Sequence, residues 1–174
     1  MKFENEEIFE EKEDKRFNKK KKDRLHFMIG IAGVLAATAF LFIFVVGLTR
    51  VSGSSMEPNY HDGQYVFYLK TASYTYGDVV GVKMTNGKSY IKRVIGMPGD
   101  VIDIRDGEVY RNGGLLEETY IQGKTYAAGE LVTYPLTVEE GTCFVMGDNR
   151  EHSDDSRAFG AVAFRQVLGK VLGN

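Results

Sequence analysis

The sequence predicts a mainly β protein, in which a single N-terminal transmembrane helix precedes a folded all-β domain of barrel or sandwich type. Three observations predict it. One uninterrupted apolar run, Leu25–Leu48, is the only segment that reads as a long helix. Short runs rich in Val, Ile, Tyr and Phe follow it, separated by turn-forming residues. No sustained helical periodicity returns after Leu48.

The chain has 174 residues, 43% of them hydrophobic, enough for one domain with a proper core. A net charge of -2 gives no reason to expect nucleic acid as a partner. The charge is unevenly placed. Residues 1–14 hold seven acidic and two basic side chains, whereas residues 15–24 hold seven basic ones against Asp23 alone. With few apolar anchors, residues 1–24 read as a solvated charged tail.

Residues 25–48 form the expected membrane span, with His26 as their one ionisable side chain. As a helix the segment covers roughly 36 Å, against a hydrocarbon core of about 30 Å. A core helix would carry a polar face, which is lacking here, and a secretory h-region is shorter. Lys15, Arg16, Lys19 to Lys22 and Arg24 precede the span, and only Arg50 closely follows it. The positive-inside rule therefore predicts a cytoplasmic N-terminus and an extracytoplasmic domain over residues 49–174.

Within that domain, strands are expected at Gln64–Lys70, Asp78–Met84, Ser89–Ile95, Val101–Ile104 and Thr142–Met146. Turns are expected at His61-Asp62-Gly63, Asn86-Gly87, Asp106-Gly107, Asn112-Gly113-Gly114 and Met97-Pro98-Gly99-Asp100. Near Ala163–Leu168 only a turn is expected. Cys143, the sole cysteine, lies in an apolar run and reads as a buried structural thiol.

Three stretches could carry chemistry. Val51-Ser-Gly-Ser-Ser-Met-Glu-Pro-Asn59 offers adjacent Ser54 and Ser55, although a plain polar linker would look the same. In Tyr90-Ile-Lys-Arg-Val-Ile-Gly96, strand alternation puts Lys92 on a face with Tyr90 and Val94, and Arg93 on the other. A strand lysine ordinarily reaches water. If covered instead, desolvation would lower its pKa toward the range of a general base. Gly147-Asp-Asn-Arg-Glu-His-Ser-Asp-Asp-Ser-Arg157 fails the EF-hand pattern, with Arg150 at its third position, so fixed ion pairs are the better expectation than a calcium site. His61 and His152 leave a Ser-His-Asp arrangement formally open.

Together these stretches resemble bacterial type I signal peptidases, Ser–Lys proteases of the short Gram-positive kind. The matching motifs are Gly53-Ser-Ser-Met-Glu-Pro58, Gly77-Asp-Val-Val80, Tyr90-Ile-Lys-Arg-Val-Ile-Gly-Met-Pro-Gly-Asp100, and Gly147-Asp-Asn-Arg150 with Ser153, Asp155-Ser-Arg157 and Gly160. The resemblance implies Ser55 as nucleophile rather than Ser54, Lys92 as general base and Ser153 as the residue orienting the amine. It further implies ion pairs Arg93–Asp148 and Asp155–Arg157, and Val51 and Ile91 lining the pockets for small side chains of the cleavage site. The oxyanion would be held by the backbone N–H of Ser55. Gly53 stands where some members carry a second oxyanion donor, and Asn59 stands where Thr is usual. The implied substrates are signal-peptide-bearing preproteins met at the lipid bilayer, with no cofactor and no metal. A catalytically inert membrane-bound binding domain would need none of Ser55, Lys92 and Ser153.

Overall fold

The computed structural model describes residues 2–84 and 87–173. Thr85 and Asn86 lie outside the described residues, and with Asn86 so does half of the turn expected at Asn86-Gly87. Two compact units divide the chain between Phe44 and Val45.

The first unit is a helix, α1, over Lys2–Phe40, closed by one π-helical turn at Leu41–Val45. The solvated tail expected over residues 1–24 is thus helical from Lys2 onward. Glu, Lys and Arg are good helix formers, and neither Gly nor Pro interrupts the first 29 residues. Within Lys15–Val45 an 18-residue stretch has a mean hydropathy of 2.5, and the helix is long and apolar enough to cross a membrane. Phe27, Val34 and Leu35 on it are more than 60% exposed.

The second unit is a β domain. It contains β1 (Val46–Arg50), β2 (Tyr65–Leu69), β3 (Val79–Lys83), β4 (Ser89–Gly96), β5 (Val101–Arg105), β6 (Glu108–Arg111), β7 (Gly114–Leu115), β8 (Leu136–Thr137), β9 (Thr142–Met146), β10 (Val162–Ala163) and β11 (Val167–Val171). A seven-stranded sheet runs in the order β1-β2-β11-β3-β4-β9-β10, and a four-stranded sheet in the order β7-β6-β5-β8. One expectation needs correction. The apolar run ends not in helix at Leu48 but in β1, where Val46 to Arg50 pair antiparallel with β2. The turn expected near Ala163–Leu168 forms as a single 3-10 turn at Phe164–Gln166, between β10 and β11, two strands that the sequence reading did not name.

The five strands anticipated from β-branched and aromatic runs all form, with ends within one or two residues. The turn at Met97–Asp100 closes with Asp100 N–H donating to the Met97 carbonyl at 2.9 Å. Three apolar clusters fill the domain. The first joins Val51, Met56, Tyr60, Val66, Val79, Ile91 and Val171. The second, around Ile95, Ile102 and Phe144, lies where the four-stranded sheet meets β4 and β9. The third contains Val80, Val94 and Cys143, whose thiol burial pushes up to about 12. Such a thiol stays protonated and inert at neutral pH.

β4 is the strand that positions the site. It lies between β3 and β9, and every residue from Ile91 to Gly96 is buried. Both faces of β4 are thus covered, Ile91 packing in the first cluster and Val94 in the third, so its alternation separates two buried environments rather than core from solvent.

Candidate active site

Ser55 sits in a tight turn just after β1. Glu57 N–H donates to the Ser54 carbonyl at 3.1 Å, and Asn59 and Tyr60 N–H both donate to the Met56 carbonyl at 3.0 and 2.9 Å. Met56, 1% exposed, plugs this turn into the first apolar cluster. Gly53 enters it with φ +81, a conformation that strains residues with a Cβ, and the Asp62 carboxylate accepts its N–H at 2.8 Å. Among the described residues none accepts the N–H of Ser55, which leaves it available to a bound group.

Lys92 reaches that turn from β4. Its Nζ lies 2.7 Å from Ser55 Oγ, and the residue is 2% exposed. Its cross-strand neighbour on β3 is Val80, fully buried and apolar. Among the described residues no carboxylate lies within ion-pair distance of the amine. Burial lowers the Lys92 pKa to about 8, with the more distant charges of Asp155 and Asp154 working in the opposite direction. The Tyr90 ring on the same face stands 5.5 Å from Nζ, a weak contact for the charged form.

The third wall is the loop after β9. That strand pairs with β4 as far as Met146 opposite Arg93, so the next residue, Gly147, falls beside Lys92. A Cβ on Gly147 would collide with Ser153 Oγ and with the Ser55 carbonyl. Glycine is thus required because two chain segments close on its Cα. Asn149 clamps the Ser55 turn twice, its N–H donating to the Ser55 carbonyl at 3.0 Å and its Nδ2 to the Ser54 carbonyl at 3.2 Å. Ser153 Oγ is buried against this wall with no hydrogen bond of good geometry, although it lies near enough to Asp155 to help hold that carboxylate down.

Buried ion pairs fix the loop. Arg93 donates from Nε and Nη2 to the two oxygens of Asp148 at 2.8 and 2.6 Å, and from Nη1 to the Gly77 carbonyl at 2.8 Å. Arg157 forms a bidentate pair with Asp155 at 2.8 and 2.9 Å and also donates to the Arg150 carbonyl at 2.7 Å. Burial alone would raise the Asp155 pKa, but the Arg157 hydrogen bonds and charge overcome it and hold the carboxyl below its usual value. A third pair escapes the sequence. Arg150, 2% exposed, forks onto Glu118 at 2.6 and 2.8 Å and onto Thr125 Oγ1 at 2.6 Å, while its Nε braces the Gly147 carbonyl at 2.9 Å. Glu118 lies in an irregular stretch 32 residues before Arg150, with no local signal of its role. Ion pairs were expected in the Gly147–Arg157 stretch, but neither the burial of Arg150 nor its partner Glu118 was.

Of the residues expected at the site, Ser55, Lys92 and Ser153 come together around Gly147. Val51 and Ile91 are 4% and 7% exposed and pack in one cluster with Met56, directly behind the Ser55 turn. His61 and His152 are exposed; neither hydrogen-bonds to a serine hydroxyl. Among the described residues no group of three or more His, Cys, Asp or Glu side chains could hold a metal ion. The arrangement can do one thing well. A hydroxyl is hydrogen-bonded to an amine that burial keeps partly neutral near physiological pH, beside a free backbone N–H.

A family profile described as "Signal peptidase, peptidase S26" matches residues 24–173. Signal peptidase IB of Staphylococcus aureus is 34% identical over 174 residues, covering 87% of this chain and 88% of that protein. Signal peptidase I of Bacillus licheniformis is 38% identical over 151 residues, covering 80% of each. The crystal structure of a signal peptidase I from Enterococcus faecalis is 33% identical, covers 57% of this chain and 97% of that one, and superposes with a TM-score of 0.46. Matched in this way along most of its length, the chain belongs to the signal peptidase I family, peptidase S26.

Proposed function

We propose that this peptidase removes signal peptides from exported preproteins with a Ser55–Lys92 dyad, anchored by α1 and working on the outer side of the membrane. The observation that carries the reading is the 2.7 Å contact between Lys92 Nζ and Ser55 Oγ, made by an amine that is 2% exposed and faces Val80 rather than an acid. Neutral Lys92 accepts the Ser55 proton as Oγ attacks the scissile carbonyl. The resulting oxyanion takes the Ser55 N–H as donor. The ammonium then returns its proton to the leaving amine, and the neutral lysine activates the water that hydrolyses the acyl-enzyme.

Ser153 acts on the amine rather than on the substrate. Its hydroxyl is buried against Gly147, which falls beside Lys92, and among the described residues it makes no hydrogen bond to Nζ, so it would orient the amine only by gaining that bond in the working enzyme. Asp148 with Arg93 and Asp155 with Arg157 hold the walls. Val51 and Ile91 present small apolar surface to the residues of the cleavage site.

The basic residues 15–24 before the apolar stretch support a cytoplasmic N-terminus.

The test is cleavage of a preprotein by detergent-solubilised enzyme. Ser55→Ala and Lys92→Ala should each lose at least about a thousandfold in kcat, because members of a catalytic unit act together. Undiminished cleavage in either variant overturns the dyad. His61→Ala and His152→Ala should cleave as wild type; loss of activity in one of them, with Lys92→Ala active, would return a histidine-based mechanism.

A further inference from the structure

Asn59 ends the turn that Ser55 begins, and its side chain leaves that turn for a different part of the domain. The carboxamide Nδ2 donates to Asp148 Oδ2 at 2.8 Å and to the Tyr120 carbonyl at 2.7 Å. Asp148 is fully buried, and the same Oδ2 also accepts from Arg93 Nη2. Arg93 is the next residue after Lys92 and stacks on the Tyr120 ring, 4.1 Å from its centroid. Asp148 in turn is the next residue after Gly147, whose Cα touches Ser55 and Ser153. One amide group therefore ties the nucleophile's turn to the neighbours of both other parts of the site.

We propose that Asn59 is a positioning residue for the Ser55–Lys92 pair, locking the far end of the Ser55 turn onto the Asp148–Arg93 ion pair through its two donated hydrogen bonds. The inference rests on the dyad reading of the site.

The chemistry selects asparagine. Two acceptors, a carboxylate oxygen and a carbonyl, converge on one nitrogen, and a planar NH2 group supplies two protons in fixed directions. A threonine hydroxyl at this place has one proton and can serve only one acceptor. An aspartate has none and would set a second carboxylate against Asp148. The near end of the turn is held separately, by Asn149 on the Ser54 and Ser55 carbonyls. With the far end released, the turn would pivot about that clamp and carry Oγ away from Nζ. Displacements of about 1 Å are enough to cost a hundredfold in rate.

The experiment uses the full chain in detergent, with kcat and KM measured separately on a preprotein and a thermal melt for each variant. Asn59→Ala should lower kcat about tenfold with KM within about twofold of wild type. Asn59→Thr should recover part of the lost kcat, and Asn59→Asp should fall about a hundredfold. Two results overturn the inference. One is an Asn59→Ala kcat within twofold of wild type. The other is a loss that Asn59→Thr shares in full and that follows the fraction unfolded in the melts, which marks a merely structural residue. Ser55→Ala and Lys92→Ala run alongside separate the two levels. If they are inactive while Asn59→Ala is normal, only this inference fails; if they cleave normally, the dyad itself fails.

Discussion

Lys92 and Arg93 are consecutive residues on β4, both cationic by type and both buried, at 2% and 3% exposure. The fold treats them in opposite ways. Arg93 meets the two oxygens of Asp148, which restore its charge against the cost of burial and leave its pKa raised. Lys92 points to the other face, where its cross-strand neighbour is Val80 and its nearest polar contact is a hydroxyl, and its pKa falls to about 8. Burial is common to both, so burial does not decide the charge. What decides it is whether a carboxylate stands within reach. One face of a single strand is built for a permanent ion pair and the other for a removable proton.

The comparison is broken most severely by removing the partner on the ion-paired face. Asp148→Ala leaves Arg93 buried without its counter-ion, a loss of about 3–5 kcal/mol in stability, which urea unfolding of the full chain should register. On the other face the sign reverses. A lysine whose folded pKa is depressed binds fewer protons folded than unfolded, so at neutral pH it opposes folding. The ceiling from a fall of 10.5 to about 8 is about 3 kcal/mol. Lys92→Met, which keeps the apolar volume, should therefore raise stability at pH 7 while abolishing cleavage. The gain should fade as pH rises from about 8 through 10.5, where the wild-type lysine becomes neutral in the unfolded chain as well. A Lys92→Met protein less stable than wild type at pH 7 would mean that the amine is charged in the fold and paired.

The same asymmetry sets the pH dependence of the reaction. In the proposed dyad only the neutral amine accepts the Ser55 proton, so kcat/KM should rise with pH and reach half its plateau near pH 8. A plateau already complete at pH 6, or a midpoint near 10.5, would place the titration elsewhere.

These opposed faces were only partly legible in the sequence. Alternation along Tyr90–Gly96 separates Lys92 from Arg93, because side chains on a strand must alternate. That both faces would be covered was not legible, since the side chains that pack on them come from residues far along the chain, such as Met56 on one and Cys143 on the other. Motif resemblance singled out Ser55, Lys92 and Ser153, whereas Glu118 and Asn59 take their importance from contacts across 32 and 89 residues, which no local pattern encodes. The fold shows the same division. Runs such as Tyr65–Leu69 and Thr142–Met146 announce strands by composition. β1 was concealed because its residues continue the apolar run of α1, and hydropathy does not distinguish strand from helix there. β11 was concealed because Val167–Val171 carries Gly169 at a register shift between its pairings with β3, which interrupts any regular alternation.

The smallest expected effect probes how nearly the lysine face is free of carboxylates. Asp155 and Asp154 both act to raise the Lys92 pKa against burial. Asp155 is fully buried and committed to Arg157, so its replacement would disturb the loop. Asp154 is exposed and can be changed alone. Asp154→Asn should remove part of the field that favours the ammonium and shift the rising limb of kcat/KM to lower pH. A displacement of about 0.3 pH would double the neutral fraction, and hence kcat/KM, on the acidic side of the midpoint, with no change at the plateau. Because Asp154 acts through solvent, the difference between variant and wild type should shrink at high salt, where charges more than about 3 Å apart are screened at 1 M. A limb that does not move at low salt would show that Asp154 contributes nothing, and that burial and the buried pairs alone set the proton affinity of Lys92.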